Sequence, residues 1–487
     1  MSQNSAPAAQ EARKVDLDTS VKIVYSLNVV LNSMGSTMAL SYFAFFVTEV
    51  VGLSPVIMAT VYTIARFGDL AVQVFAPSIV NMMSRHRPLL LIIPLISQAG
   101  TIASFVNPPF PTVVLYPFLI IAYCCIHFPM NFSTVVTSTM QIKLTKGNQE
   151  NRLWITAQTN RIGPIWRVVS PYLGMPLILW FMDRGLPGYL IVTCIYAAMT
   201  LAAAALLYVV SAPYEETKEE AAAAKAKKLA AAANQPSVLK VIGSQYSAAA
   251  KNRPAMALLI SGLVTGITGQ FLSGGTQYYW RFILGDLALQ ARAASISSMI
   301  AIPLGFIGPI IGRKMKQRQA VMLNFVWTIC CYGLHIMFSG RGAWFYIGIQ
   351  SLSSITTYIS MVWSAQNWMN AAEVQYHNTG VDIRPFVMGL NNYSIKIGFI
   401  AQGPLLAWML SYLQYERNVG FGNPGPFMFI WMGIPALGQI FAALMYFFFY
   451  NITPDQAKTA IAANHEKAQA ERAAAAAAVA GGTPPAR

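Results

Sequence analysis

Apolar residues in this chain run in long blocks rather than alternating, and short polar, mostly basic connections separate the blocks. A helix needs about 20 apolar residues to cross the hydrocarbon core of a bilayer. Twelve blocks come close to or exceed that length, near 23–47, 55–82, 89–106, 113–140, 155–181, 187–211, 255–283, 294–311, 320–339, 344–371, 386–413 and 427–450. The predicted fold class is therefore an all-α membrane protein with twelve transmembrane helices in two six-helix bundles. The expected organisation is an N-terminal tail (1–20), a first bundle (21–211), a linker (212–253), a second bundle (254–450) and a C-terminal tail (451–487). The linker and the second tail are Ala-rich, which favours helix; the final Gly-Gly-Thr-Pro-Pro predicts a disordered end. Short basic loops follow the second and eighth blocks, Ser84–Arg87 and Gly312–Lys316, and their matched places suggest duplicated halves. Two such halves around a central cavity is the plan of transporters that bind cargo near the midplane and rock about it.

Composition agrees with this pattern. Hydrophobic residues make up 55% of the chain and charged residues only 10%, against about a quarter charged in soluble domains; the mean hydropathy is +0.48. The net charge of +15 invites a nucleic-acid reading, but its placement argues against one. Of 33 Lys and Arg, 24 lie in the termini and even-numbered loops, 4 in the odd loops and 5 within helices or at their ends. That is the positive-inside distribution, so both termini are expected in the cytoplasm and no nucleic-acid partner is expected. The first twenty residues lack an apolar core, so no cleavable signal peptide is expected. The five cysteines all fall in apolar blocks and carry no disulfide or metal spacing; buried packing is their expected role. There is no phosphate-cradling glycine loop, no metal cluster and no nucleophile–base pair. An enzyme is not expected, nor is any cofactor.

Within this apolar background Asp69 stands out, in Arg66-Phe67-Gly68-Asp69-Leu70-Ala71-Val72-Gln73. A charged group at the bilayer centre costs at least about 2.5 kcal/mol. It must face the protein interior, pair with a cation or take up a proton. Arg66, one turn earlier, is the candidate partner. Two readings stand: a structural ion pair that fixes helix packing, or a coupling site for transport.

Several motifs in sequence order resemble the glycoside–pentoside–hexuronide:cation symporters, the melibiose-permease-like branch of the major facilitator superfamily. They are Arg66-Phe67-Gly68-Asp69 on the second helix, His127-Phe128-Pro129 on the fourth, and Asn252-Arg253-Pro254 with Tyr278-Tyr279 and Leu284-Gly285-Asp286 around the seventh. Glu373-Val374-Gln375-Tyr376, Thr379-Gly380 and Lys396 complete the set. The resemblance implies the major facilitator fold and a cation site in which a second acid follows the first by four residues and a third lies on helix four. Here those positions are Gln73 and His127, so the implied sodium site has lost two negative charges. Imidazole titrates near physiological pH. Proton coupling through Asp69 and His127, with Arg66 and Gln73 beside them, is therefore expected ahead of sodium coupling or uncoupled transport. A hydrogen-bonded core histidine is the competing account of His127.

The implied sugar-contacting acid of helix one falls at Ser33, next to Asn32, and the sugar-stacking aromatic of helix four at Asn131. Further candidates for the substrate site are Arg161, Tyr279, Trp363, Asn367 and Lys396, although each aromatic suits packing or the lipid interface equally well. The arginine of the family's Thr-Gly-x-Arg motif aligns with either Asp382 or Arg384, and neither is given a role beyond the loop. Among Arg66, Arg161, Arg167, Lys396 and Asp69 positive charge prevails, which tilts the expectation towards uronides or other acidic glycosides. The expected protein is a monomeric, multi-pass inner (plasma) membrane transporter of a glycoside, oligosaccharide or uronide, with H+ as coupling ion and the lipid bilayer as surroundings. A lipid or amphiphile carrier of the same superfamily and a non-transporting receptor or scaffold are the alternatives.

Overall fold

A computed structural model describes residues 17–32, 34–82, 85–145, 149–214, 238–338, 341–381 and 383–480. Two compact units divide the chain, Met1–Asn234 with Asp286–Ser295 and Gln235–Gly285 with Ile296–Arg487. Among the described residues, seven helices are long and apolar enough to cross a membrane, and four shorter apolar helices accompany them. Large apolar side chains face outwards on many of them, among them Val113, Phe306, Phe429 and Leu437. In a bilayer such an exterior is solvated by lipid, and regular helix satisfies the backbone polar groups internally.

The first unit contains α1 (Thr19–Leu31), α2 (Met34–Phe45), α3 (Pro55–Met82), α4 (Leu89–Ser104), α5 (Thr112–Thr145), α6 (Gln149–Leu173), α7 (Met175–Met182) and α8 (Gly188–Val210). The first predicted span is not described as one helix: α1 ends at Leu31 with Asn32 as its C-cap, α2 runs from Met34, and the span ends in a π-helical turn at Phe46–Val51. The fifth breaks at Gly174, between α6 and α7. Broken helices expose backbone groups, which inside a membrane is tolerated where protein or a cavity can partner them.

The second unit contains α9 (Val238–Ala250), α10 (Arg253–Tyr278), α11 (Leu287–Lys314), α12 (Gln317–Met337), α13 (Ala343–Thr379), α14 (Arg384–Tyr412), a two-residue hairpin of β1 (Tyr415–Glu416) and β2 (Gly420–Phe421), α15 (Phe427–Phe449) and α16 (Pro454–Ala480). The start of α11 groups with the first unit. α10 continues into a π-helical turn at Tyr279–Ile283 and stops at Gly285, whose φ is +72°. The first unit does the same at Phe46–Val51 and Gly52, φ +84°. A residue in that left-handed region is most cheaply glycine, so both halves end the corresponding helix with one device.

Small residues set the closest helix contacts of the second unit. A Cβ on Gly266 would lie 2.5 Å from the Ser394 carbonyl oxygen, and one on Gly398 2.5 Å from that of Gly266. Gly262 and Gly266 on α10 thus meet Ser394 and Gly398 on α14, a small-xxx-small pairing on both helices. Lys396 lies two residues from each α14 contact and so occupies the opposite side of that helix.

The Ala-rich C-terminal tail is helical over Pro454–Ala480, as its composition favours. α16 runs from Pro454 to Ala480, opened by a reciprocal cap in which Thr453 N–H donates to Gln456 Oε1 at 3.0 Å and Gln456 N–H to Thr453 Oγ1 at 3.3 Å. Its buried Ala457, Ala460 and Asn464 pack towards α13. The cysteines differ from expectation: Cys331 is buried, Cys124 and Cys125 are half-buried, and Cys194 and Cys330 are exposed.

Candidate functional site

The site is built by two helices of the first unit, α3 and α5. Their approach is set by Gly68, where a side chain would overlap the Phe128 ring. A turn away along α5, a Cβ on Gly100 of α4 would sit 2.6 Å from Cys125 Cβ. α5 thus meets both α3 and α4 closely at a glycine. Pro129 adds a local opening, because it cannot donate to the Cys125 carbonyl one turn back.

Asp69 is fully buried and Arg66 is 2% exposed. Arg66 Nη1 lies 3.6 Å from Asp69 Oδ2, one helical turn away on α3. The pairing predicted from the spacing is therefore present. Asn131, on α5, donates from Nδ2 to Asp69 Oδ1 at 2.7 Å and to the Asp69 carbonyl at 3.1 Å. Arg66 Nη2 donates to Tyr123 Oη at 2.9 Å, and its guanidinium lies 5.2 Å from the Tyr123 ring centre. The Tyr123 ring meets the His127 imidazole edge-on at 4.5 Å and stacks on Phe43 at 4.6 Å. Asp69, Arg66, Asn131, Tyr123 and His127 thus form one buried polar cluster roofed by aromatic rings. Gln73, one turn beyond Asp69, has its Oε1 buried with no hydrogen-bond partner among the described residues.

Asp69 is the one carboxylate in the sequences of α3 and α5. A hard cation prefers several oxygen ligands, carboxylates among them. Here one carboxylate is engaged by a guanidinium and an amide.

The other predicted site residues separate into groups. Asn131 is hydrogen-bonded to Asp69. Asn32 is half-buried and donates to Ser133 Oγ at 2.6 Å, linking the end of α1 to α5. Ser33 and the Arg161 side chain lie outside the described residues, as does Asp382. In the second unit, Tyr279 is packed among Tyr346, Trp431 and Phe427, with ring centres 5.0, 4.7 and 6.1 Å away. Its ring faces are occupied by other rings, so it has none left for a sugar. Trp363 donates to the Gly312 carbonyl at 3.1 Å, tying α13 to α11. Asn367 accepts a hydrogen bond from Gln317, and its carbonyl receives one from Tyr450 at 3.3 Å. Trp363 and Asn367 therefore join helices through their polar atoms. Lys396 is half-buried.

Two features escaped the sequence reading. Tyr123 precedes His127 by one turn on the same face of α5, a spacing that could have flagged it. Arg384 pairs with Glu373 at 3.2 Å and lies 4.3 Å over the Tyr376 ring, so it is an interhelical clamp rather than a bare loop residue. Asn464 of α16 completes that clamp, donating to Glu373 Oε2 at 2.7 Å.

A family model described as MFS/sugar transport protein matches residues 25–454 of the chain. A curated relative, the isoprimeverose transporter of Lactiplantibacillus pentosus, is 20% identical over 479 residues, covering 93% of this chain and 94% of the relative. Among solved structures, the nucleoside transporter NupG shares 14% identity at a TM-score of 0.56, over 89% of this chain and 98% of that one. A D-xylose-proton symporter shares 12% at 0.55, over 87% and 96%. A bacterial homologue of the iron transporter ferroportin, in an inward-facing state, shares 10% at 0.63, over 89% and 99%. These structures share the fold.

Proposed function

The chain belongs to the MFS/sugar transport protein family, is a multi-pass membrane transporter with the major facilitator fold, and on that basis we propose that it is a proton-coupled carrier of a glycoside, oligosaccharide or uronide with Asp69 as its coupling carboxylate. The observation that carries this reading is the α3–α5 cluster: one fully buried carboxylate held between Arg66 at 3.6 Å and Asn131 at 2.7 Å. In this reading a proton on Asp69 removes its charge and loosens Arg66, which retains the Tyr123 hydroxyl as its acceptor. Because Tyr123 Oη and Asp69 Oδ2 both receive Arg66, the guanidinium passes between two partners instead of being stranded. His127 packs edge-on against the Tyr123 ring, next to this cluster. Replacement of the implied second and third acids by Gln73 and His127 supports H+ over Na+.

Sugar as cargo is supported by the family and by the isoprimeverose relative. Arg66 faces Asp69, so it adds little towards a preference for acidic cargo; Lys396, half-buried on α14, is the candidate contact for a uronide carboxylate. The distribution of Lys and Arg supports an inner (plasma) membrane protein, with both termini in the cytoplasm. Uptake into proteoliposomes across a panel of neutral glycosides and uronides tests the cargo. Saturable uptake of at least one sugar class is expected, with Lys396→Gln selectively weakening uronides. No uptake of any sugar, alongside lateral movement of lipid or amphiphile, would replace this reading with that of a lipid carrier.

A further inference from the structure

Gln73 is the member of the α3–α5 cluster to which the transport cycle described above gives no task. It follows Asp69 by four residues, so the two side chains share one face of α3. Side chains on a helix lean back over the preceding turn, and the turn before Gln73 is the one that carries Asp69. Residues four apart on a helix lie about 5–6 Å from each other at Cβ, and Gln and Asp at that spacing can hydrogen-bond. Yet Gln73 Oε1 is buried with no hydrogen-bond partner among the described residues.

A buried acceptor left unmatched is costly, and the partners of Asp69 explain why this one stays unmatched. Asp69 Oδ2 faces Arg66 Nη1 at 3.6 Å, and Oδ1 receives Asn131 Nδ2 at 2.7 Å. With two donors aimed at it, the carboxylate is ionised in this arrangement, and an ionised carboxylate only accepts. Two acceptors cannot bond one another, so Gln73 Oε1 has nothing to take from it. A proton on Asp69 reverses this, because a neutral carboxyl group has one O–H to donate. The unmatched oxygen one turn away is its complement.

The other titratable and charged groups around Asp69 are Arg66 on its own helix and Tyr123, Cys124 and His127 on α5. Glu49 belongs to the π-helical turn that packs against α3, and precedes the start of that helix at Pro55, about 20 Å along the axis from Asp69. Of the two nearest, Arg66 can only donate, and Tyr123 Oη already takes one of its N–H groups at 2.9 Å.

We propose that Gln73 is the positioning residue for the coupling proton, its Oε1 receiving the O–H of protonated Asp69. This rests on the proton-coupled reading above. When a proton from water reaches the carboxylate, the oxygen bonded by Asn131 stays an acceptor and the other carries the O–H to Gln73, while Arg66 keeps Tyr123. A carboxamide suits this task where a second carboxylate does not. Its oxygen accepts at every pH, adds no negative charge and does not compete for the proton.

The test is an infrared pH titration of the full-length protein in a neutral detergent, comparing wild type, Asp69→Asn, Gln73→Leu and Gln73→Met. Wild type should show a protonated-carboxyl band at acid pH that is absent from Asp69→Asn. In Gln73→Leu and Gln73→Met, which delete the acceptor at similar size, that band should move to higher frequency as its hydrogen bond is lost. The proton concentration at which it is half-formed should rise about tenfold, as loss of one hydrogen bond suffices to give. At alkaline pH, with Asp69 ionised, both variants should melt no lower than wild type, because they remove an unmatched acceptor rather than a bond. A purely structural role for Gln73 predicts the reverse, and a lower melting temperature there overturns the proposal. An Asp69-dependent band indifferent to both Gln73 variants overturns it as well, and leaves the proton-coupled reading standing. No Asp69-dependent band at any pH overturns the proton-coupled reading, and this inference with it.

Discussion

Replacing Asp69 with Asn removes the charge that Arg66 faces while preserving shape and one acceptor oxygen. At 3.6 Å and an effective dielectric of about 20, the attraction between the pair is about 4.6 kcal/mol. Removing one partner of a buried pair typically costs about 3–5 kcal/mol, because the other charge is left uncompensated. Tyr123, which accepts from Arg66 at 2.9 Å, offsets part of that cost. In a unit of this size each kcal/mol moves the melting temperature by roughly 2–4 °C, so Asp69→Asn is expected to lower it by about 6–20 °C. Arg66→Gln should cost a similar amount. The double variant removes both charges, and should recover at least half of the summed loss. Thermal unfolding of all four proteins in detergent measures the coupling. In proteoliposomes, Asp69→Asn should abolish accumulation against a gradient yet keep downhill exchange. Strict additivity of the two stability losses would refute the pairing argument, and undiminished accumulation by Asp69→Asn would return the residue to a purely structural role.

Further outcomes follow from the same contacts. Asn131→Ala removes the 2.7 Å donor to Asp69 and should cost about 1.5–3 kcal/mol, the range for a hydrogen bond to a charged group; an unchanged melting temperature would contradict the assigned bond. Gln73→Asp restores a second carboxylate one turn from Asp69 and should confer sodium stimulation of uptake, measured by imposing a Na+ gradient. Gly68→Val drives a side chain into Phe128, with an expected cost of about 1–3 kcal/mol from overpacking, and Phe128→Ala should relieve it. Asn464→Ala should accelerate amide exchange across α16 while leaving α3 and α5 protected, because its bonds to Glu373 at 2.7 and 3.0 Å help hold that helix.

Hydrophobic block length made the helical membrane architecture legible, because a bilayer imposes its thickness on the sequence. The three-residue spacing of Arg66 and Asp69 likewise announced their contact. Helix interruptions were less visible. The end of α1 at Leu31 and the π-helical turns lie inside apolar runs, where composition alone does not distinguish a continuous helix from a kinked one. The bond from Asn131 to Asp69 was hidden for another reason: alignment places Asn131 where an aromatic stacks on sugar, and only the fold shows that the amide there reaches the Asp69 carboxylate. Tyr279, Trp363 and Asn367 show the same limit, since a polar or aromatic residue on a membrane helix serves helix packing as readily as a ligand. The docking of α16 was hidden by its Ala-rich composition, whose small side chains are the ones that allow Ala457 and Ala460 to be buried.

Proton movement accompanying sugar uptake is the most direct test of the coupling account. In weakly buffered proteoliposomes carrying an internal pH indicator, adding the transported sugar outside should acidify the interior without any imposed gradient. That signal should vanish in Asp69→Asn and be indifferent to Na+. Sugar entry with no pH change, but with a strict requirement for Na+, would contradict the assignment of Asp69 as a proton site.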